Sequence, residues 1–269
     1  MDILRVLAIG DTVGNPGRTA IIKLYPEIKK EHGIDFFVAN CENTAGGNGM
    51  TSKIADELLM KGVDCITLGD HVWDQKEIFP YLSKEPRVVR PLNYPAGVPG
   101  RGSTVVECMD GTKVAIVNAM GRVFMHAQVD NPFAALKAEI EHLQRQTKIV
   151  VVDIHAEATS EKIALFRYLD GQASLIFGSH THVQTADEQV SARGTAFITD
   201  CGMTGPYDSV IGRVTDQVLK RFLTQMPGKL EVASGDVRLC GVITDMDKAT
   251  GRAVKISRHQ WRLEEGAVA

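Results

Sequence analysis

Two histidines one residue apart, His180 and His182, follow the apolar run Ala173-Ser174-Leu175-Ile176-Phe177 through Gly178-Ser179. A strand aims residues i and i+2 at the same side, so a strand end carrying His-x-His can present two imidazoles to neighbouring cations. Other apolar runs end in the same manner. Leu4–Ile9 meets Gly10-Asp11, Phe36–Ala39 meets Asn40-Cys41-Glu42-Asn43, Asp64–Leu68 meets Gly69-Asp70-His71, and Ile149–Ile154 meets His155. In an open α/β sheet, ligands bind beyond the carboxyl ends of the strands. Strands distant in sequence would thus gather Asp11, Glu42, Asn43, Asp70, His71, His155, His180 and His182 in one place. That inventory of oxygen and imidazole donors suits two metal ions.

Each member has a physical reason to be there. A glutamate at the end of a buried strand is costly unless something balances its charge, and a cation at Glu42 would do so. The glycines of Ala45-Gly46-Gly47-Asn48-Gly49 would let backbone N–H groups approach a phosphate, which makes Gly46 and Gly47 candidate substrate contacts. Asp70 and His71 can diverge on a turn, so that Asp70 ligates while His71 stays unbound and protonates a leaving group. The segment Gly121-Arg122-Val123-Phe124-Met125-His126 follows a strand and offers Arg122 and His126 as further substrate contacts. For Arg122, as for Arg213, a plain surface position is the simpler reading. His32, His142 and His259 lack any such setting and read as surface residues.

Apolar runs of about five to seven residues alternate with helix-like segments, a pattern that favours a mainly parallel sheet with helical crossovers. Helices are predicted from near Pro16 to before His32-Gly33, after the capping residue Thr51 up to Gly62, from Asn131-Pro132 with Phe133, Leu136, Ile140 and Leu143 on one face, and from Thr159-Ser160 to Leu169. Arg87 to Gly102, rich in proline and glycine, reads as a loop between sheet elements. Ser103–Cys108 and Lys113–Asn118 flank Asp110-Gly111 as a hairpin, and Val237–Asp245 and Ala253–His259 form another around Gly251. Two hairpins with a parallel strand set predict two packed sheets with helices outside, in a single domain spanning residues 1–269.

The 269 residues, 44% hydrophobic and 23% charged, suffice for a full core. A formal net charge of −3 gives no basic footprint for a nucleic-acid duplex or an anionic membrane. No apolar run approaches the ~20 residues of a membrane span. The five cysteines form no CxxC pair, and charges among the first residues are unlike a signal peptide, so a cytoplasmic protein with reduced thiols is expected. Cys41, beside Glu42, is the one thiol near the candidate site.

The blocks Gly10-Asp11-x-Val13-Gly14-x-Pro16-Gly17-Arg18, Asn40-x-Glu42-Asn43-x-Ala45-Gly46-Gly47, Gly69-Asp70-His71-x-Trp73-Asp74, His155-Ala156-Glu157-Ala158-Thr159-Ser160-Glu161-Lys162 and His180-Thr181-His182-Val183-Gln184-Thr185-Ala186-Asp187, continued by Thr199-Asp200-x-Gly202-Met203-Thr204-Gly205, cover most of the chain. Together they resemble the calcineurin-like metallophosphoesterases, and more closely their YmdB-like cyclic-nucleotide phosphodiesterase branch. The resemblance implies a four-layer α/β/β/α sandwich and two metal ions, iron or manganese, bridged by Glu42. One ion would take Asp11, Asn43 and His182, the other Asp70, His155 and His180, with His71 as proton donor. The implied substrates are 2′,3′- or 3′,5′-cyclic nucleotides, hydrolysed by a metal-bridging hydroxide attacking phosphorus in line. RNA ends are a further candidate partner and a homo-oligomer stays open, since the sequence does not fix the oligomeric state. Two positions depart from the wider pattern. Val13 stands where many relatives have a metal-binding histidine, a feature shared by the branch, and leaves Asn43 as the substitute ligand. Asp70 stands where an asparagine is usual, so three carboxylates and a hydroxide would leave the core formally neutral, holding metal well but withdrawing less charge from phosphorus. A phosphomonoesterase or nucleotidase, or a regulatory RNA- or protein-binding module with a structural metal, is the rival reading.

Overall fold

The computed structural model describes residues 2–264. In chain order its elements are β1 (Ile3–Ile9), α1 (Gly14–His32), β2 (Phe36–Asn40), α2 (Ser52–Met60), β3 (Cys65–Thr67), α3 (Ile78–Leu82), β4 (Val88–Val89), β5 (Ser103–Glu107), β6 (Lys113–Met120), α4 (Pro132–Leu143), β7 (Ile149–His155), α5 (Thr159–Leu169), β8 (Leu175–Ser179), β9 (Gln189–Val190), β10 (Ala196–Ile198), β11 (Gly205–Pro206), α6 (Thr215–Thr224), β12 (Val237–Asp247) and β13 (Ala253–Arg262).

Successive side chains of a strand point to opposite faces, and here the central strands bury both. Leu7 and Ile9 of β1 pack with Ile21 and Ile28 of α1 and Ile54 and Leu58 of α2. Leu4, Val6 and Ala8 of the same strand pack with Ile116, Val151 and Phe177 of the other sheet. On that sheet's far side, Val150, Val152 and Ile154 of β7 meet Leu136 and Ile140 of α4 and Leu165 and Phe166 of α5. These three cores separate four layers, helix, sheet, sheet, helix, as the resemblance implied. The first sheet runs β11-β12-β1-β2-β3-β4 with β13 added on β12, and the second runs β5-β6-β7-β8-β10-β9. Strands β1 to β4 are mutually parallel, as are β6, β7, β8 and β10. Their carboxyl ends therefore open on one rim.

The four expected helices form, with Thr51 accepting a hydrogen bond from Ile54 N at 3.3 Å and Asn131 capping α4. Both hairpins form, β12–β13 running two residues past Asp245 and three past His259. Within the Arg87–Gly102 segment read as loop, Val88 and Val89 extend the first sheet beside β3. Two residues give no periodicity to detect, and only the partner strand makes them a strand. Among the described residues no helix is long and apolar enough to cross a membrane.

Candidate metal centre

The rim gathers donors from both sheets. Asp11 follows β1, Glu42 and Asn43 follow β2, Asp70 and His71 follow β3, His155 ends β7, and His180 and His182 follow β8. One ligating atom each from Glu42, Asp70, His155 and His180 lies within 4.8 Å of the others. His155 Nε2 is 3.1 Å from Glu42 Oε1 and 2.9 Å from Asp70 Oδ1, while His180 Nδ1 is 3.0 Å from His155 Nε2. Beside this set, His182 Nε2 faces Asn43 Oδ1 at 3.3 Å and Asp11 Oδ1 at 3.9 Å. Glu42 and Asn43 are adjacent residues, so the end of β2 serves both halves.

Neighbouring groups fix which atom of each histidine turns inward. Ser179 Oγ donates to Asp153 at 2.7 Å and so accepts from His155 Nδ1 at 3.0 Å, leaving the Nε2 lone pair for the cluster. His182 Nδ1 donates to the Ile211 carbonyl at 3.0 Å, which leaves Nε2 bare. His180 is held through its other nitrogen, Nε2, by the Glu157 carboxylate at 3.3 Å. The backbone contributes as well: His180 and His182 both adopt left-handed φ angles, 98° and 64°, which turn their side chains back over the rim. Asn43 Nδ2 donates to Gly47 O at 3.2 Å, so its Oδ1 is the atom presented to His182.

Imidazole nitrogens and carboxylate or amide oxygens therefore face one another at short range, an arrangement that repels unless a cation or a proton lies between them. Asp11 Oδ1, fully buried, has no hydrogen-bond partner, although Oδ2 accepts from His180 N at 2.8 Å. The mixed oxygen and imidazole set fits hard to borderline divalent ions. The titration behaviour carries the same message. Burial pulls the His155 imidazole down, but Glu42 and Asp70 outweigh it and hold it well above its ordinary value. Burial pushes the Asp70 carboxyl up, and hydrogen bonds from His155 and His180 carry it far below the usual range. In metal-free protein, protons stand where cations fit. Cys41 lies outside this set: burial pushes its thiol up to about 12, and its Sγ turns to Thr12 Oγ1 at 4.0 Å.

His71 lies beside this set rather than in it. Its backbone N donates to Glu42 Oε2 at 3.0 Å and its Nδ1 meets Asp74 Oδ2 at 2.8 Å, leaving Nε2 without a protein partner among the described residues. Burial lowers its pKa, but the carboxylates of Glu42, Asp70 and Asp74 raise it overall.

The expected substrate contacts are placed less closely. Gly46 is exposed with open space where a Cβ would be, but a Cβ on Gly47 would sit 2.3 Å from Arg213 Nη1. The close approach at Gly47 is made by that guanidinium, which donates to Gly47 O at 2.7 Å and to Leu230 O at 3.0 Å. Arg122 and His126 are exposed on the loop after β6, and their side chains have no hydrogen-bond or ion-pair partner among the described residues. Sequence reasoning gave no role to Asp74, Asp153, Glu157, Ser179 or the Ile211 carbonyl, which orient the imidazoles. Asp74 and Glu157 lay inside recognisable blocks, whereas a backbone carbonyl leaves no trace in residue type.

A model of YmdB-like proteins matches residues 7–259. The chain belongs to the YmdB-like family. It is 46% identical over 255 residues to a 2′,3′-cyclic-nucleotide 2′-phosphodiesterase of Bacillus subtilis strain 168, covering 95% of this chain and 96% of the relative. A crystal structure of a phosphatase from Mycoplasma pneumoniae superimposes with a TM-score of 0.91 at 34% identity, covering 100% of this chain and 96% of that one. A crystal structure of a hypothetical protein from Thermus thermophilus gives a TM-score of 0.88 at 43% identity, covering 96% of this chain and 99% of that one. With a phosphodiesterase relative at this identity and a cluster able to hold metal, this YmdB-like protein is a hydrolase of phosphate esters.

Proposed function

We propose that this YmdB-like protein is a dinuclear metal-dependent phosphodiesterase that opens cyclic nucleotides in the cytoplasm, with 2′,3′-cyclic nucleotides as its first substrate class. The observation that carries this reading is the convergence of donor atoms, His155 Nε2 and His180 Nδ1 on Asp70 and Glu42, and His182 Nε2 on Asn43 and Asp11. Asp70, His155 and His180 would hold one ion, Asp11, Asn43 and His182 the other, and Glu42 both, with iron or manganese suited to the donor set. Bound cations supply Lewis acidity and a water of lowered pKa. The rest of the chemistry belongs to the chain. As water oxygen adds to phosphorus and the bond to the ribose oxygen breaks, that oxygen needs a proton. His71, its Nδ1 held by Asp74, delivers it from Nε2. The five free thiols, four of them buried, fit a reducing compartment. RNA ends bearing a 2′,3′-cyclic phosphate present the same group, and 3′,5′-cyclic nucleotides are a second class.

The test is a substrate panel at saturating manganese, with products resolved. Opening of 2′,3′-cyclic nucleotide to a single 3′-phosphate isomer, with bis-p-nitrophenyl phosphate turned over faster than its monoester, supports the reading. Faster monoester turnover with no ring opening would make the protein a phosphomonoesterase.

A further inference from the structure

Under the loop that carries His180 and His182 lies an ion pair with no access to solvent. Lys162 and Asp200 are both 0% exposed, and Lys162 Nζ is 2.7 Å from Asp200 Oδ2. A buried charge pair rarely stabilises a fold more than apolar residues of the same shape, because desolvation offsets most of the attraction. Its value at such a place is positional.

The pair's remaining contacts converge on the loop. Lys162 Nζ also donates to the Ser179 carbonyl at 2.7 Å. Asp200 Oδ2 accepts from Thr181 N at 3.1 Å and from Thr181 Oγ1 at 2.7 Å, and Oδ1 accepts from Gly202 N at 2.8 Å. Residues 179 and 181 flank His180, and residue 181 precedes His182. The same Ser179 receives His155 Nδ1 at 3.0 Å. Gly178 makes room for this grip, since a Cβ there would stand 2.9 Å from Lys162 Cδ and 1.8 Å from Thr199 O. Lys162 comes from α5 and Asp200 from the segment after β10, so helix and strand end close on the loop from two sides.

Resting on the dinuclear reading above, we infer that Lys162 and Asp200 are a positioning pair that holds the His180–His182 loop in its left-handed conformation and thereby sets the affinity and spacing of both metal ions at once. The pair touches neither substrate nor metal. It fixes the backbone on either side of one ligand to each ion, so loosening it disturbs both halves of the centre together.

The discriminating variant is the double substitution Lys162→Met with Asp200→Asn, which removes both charges at nearly constant shape: the amide oxygen can still accept from Gly202 N and the amide nitrogen can donate to Thr181 Oγ1, while Thr181 N and the Ser179 carbonyl lose their partners. Lys162→Met alone strands a buried carboxylate and serves only as a comparison. Manganese affinity at each site, the exchange coupling between two bound manganese ions by electron paramagnetic resonance, and melting of the metal-free protein are measured on the full chain. Loss of an orienting contact behind a metal ligand typically costs roughly 10–100-fold in metal affinity. The expected result is a loss of that size at both sites with altered coupling, while metal-free melting stays near wild type. Wild-type affinity and coupling in the double variant would overturn the inference, as would a loss confined to one ion. A metal-free double variant that no longer folds would also overturn it, placing the pair in the fold rather than the site. Wild-type protein that fails to bind two manganese ions would sink the dinuclear reading itself, and the inference with it.

Discussion

His71 and Asp70 are neighbours in sequence to which the proposed function gives different work. With Nδ1 tied to Asp74 at 2.8 Å, His71 offers only Nε2 to substrate and none of its ring atoms to the cluster. His71→Ala is therefore expected to retain both metals by elemental analysis while losing ~10²–10⁴ in turnover, the usual share of a general acid; a missing metal would give His71 a ligand's role instead. Asp70 brings a full negative charge to an atom 2.9 Å from His155 Nε2 and 3.4 Å from His180 Nδ1. If Asp70 is a ligand, removing that charge in Asp70→Asn would make the centre more electrophilic and weaken its hold on metal. The variant is expected to need more manganese for half-maximal rate, and to match or exceed wild type at saturation. A variant dead at saturating manganese would make Asp70 a base or a cap. The candidate ligands were legible from residue type at strand ends, since few other reasons put imidazoles and carboxylates there. The groups behind them were not, because serine, threonine and backbone carbonyls occur everywhere and acquire a role only through contacts such as Asp153 with Ser179 at 2.7 Å.

Elements decide whether those residues meet. The end of β3 illustrates how tightly: a Cβ at Gly69 would fall 2.2 Å from Glu42 Oε2 and 2.4 Å from His155 Nε2. Gly69→Ala should leave the three cores intact and drive a methyl group between two ligands. The expected outcome is a folded protein by circular dichroism whose metal affinity falls more than about tenfold, equivalent to ~1.4 kcal/mol; undiminished metal binding would show that the ends of β2, β3 and β7 can spread to admit the methyl group. The long strands and amphipathic helices were readable because period and length agree over many residues. Three kinds of element escaped. β4, β9 and β11 are two residues each and β10 is three, and they exist through pairing alone. α3 spans only Ile78–Leu82, with Pro80 inside it. α6 buries Val218 while Phe222, Leu223 and Leu219 stay largely exposed, so its apolar stripe faces no core that the pattern could anticipate.

At the scale of the whole molecule, the rim gathers groups that could hold a cation, and the carboxylates around His155 favour its protonated form when none is bound. Protonation of His155, whose folded pKa lies well above 6.5, stabilises the metal-free protein fully below about pH 6.5 and is lost as pH rises through the raised value. Metal binding needs the same nitrogen unprotonated, so affinity climbs over that window while metal-free stability falls. The difference in melting temperature between manganese-loaded and chelator-treated protein should therefore widen from pH 6.5 upward; a difference that narrows would mean that metal does not displace the proton on His155. Layer order was legible in advance because hairpins and parallel runs separate along the chain, whereas the meeting of the two sheets' rims depends on packing through the Leu4, Val6, Phe177 core. The most direct measurement titrates metal-free protein with manganese and follows opening of a 2′,3′-cyclic nucleotide. Activity absent without metal and levelling at two equivalents per chain is the predicted result. Turnover by metal-free protein, or a plateau at one equivalent, would contradict a dinuclear phosphodiesterase.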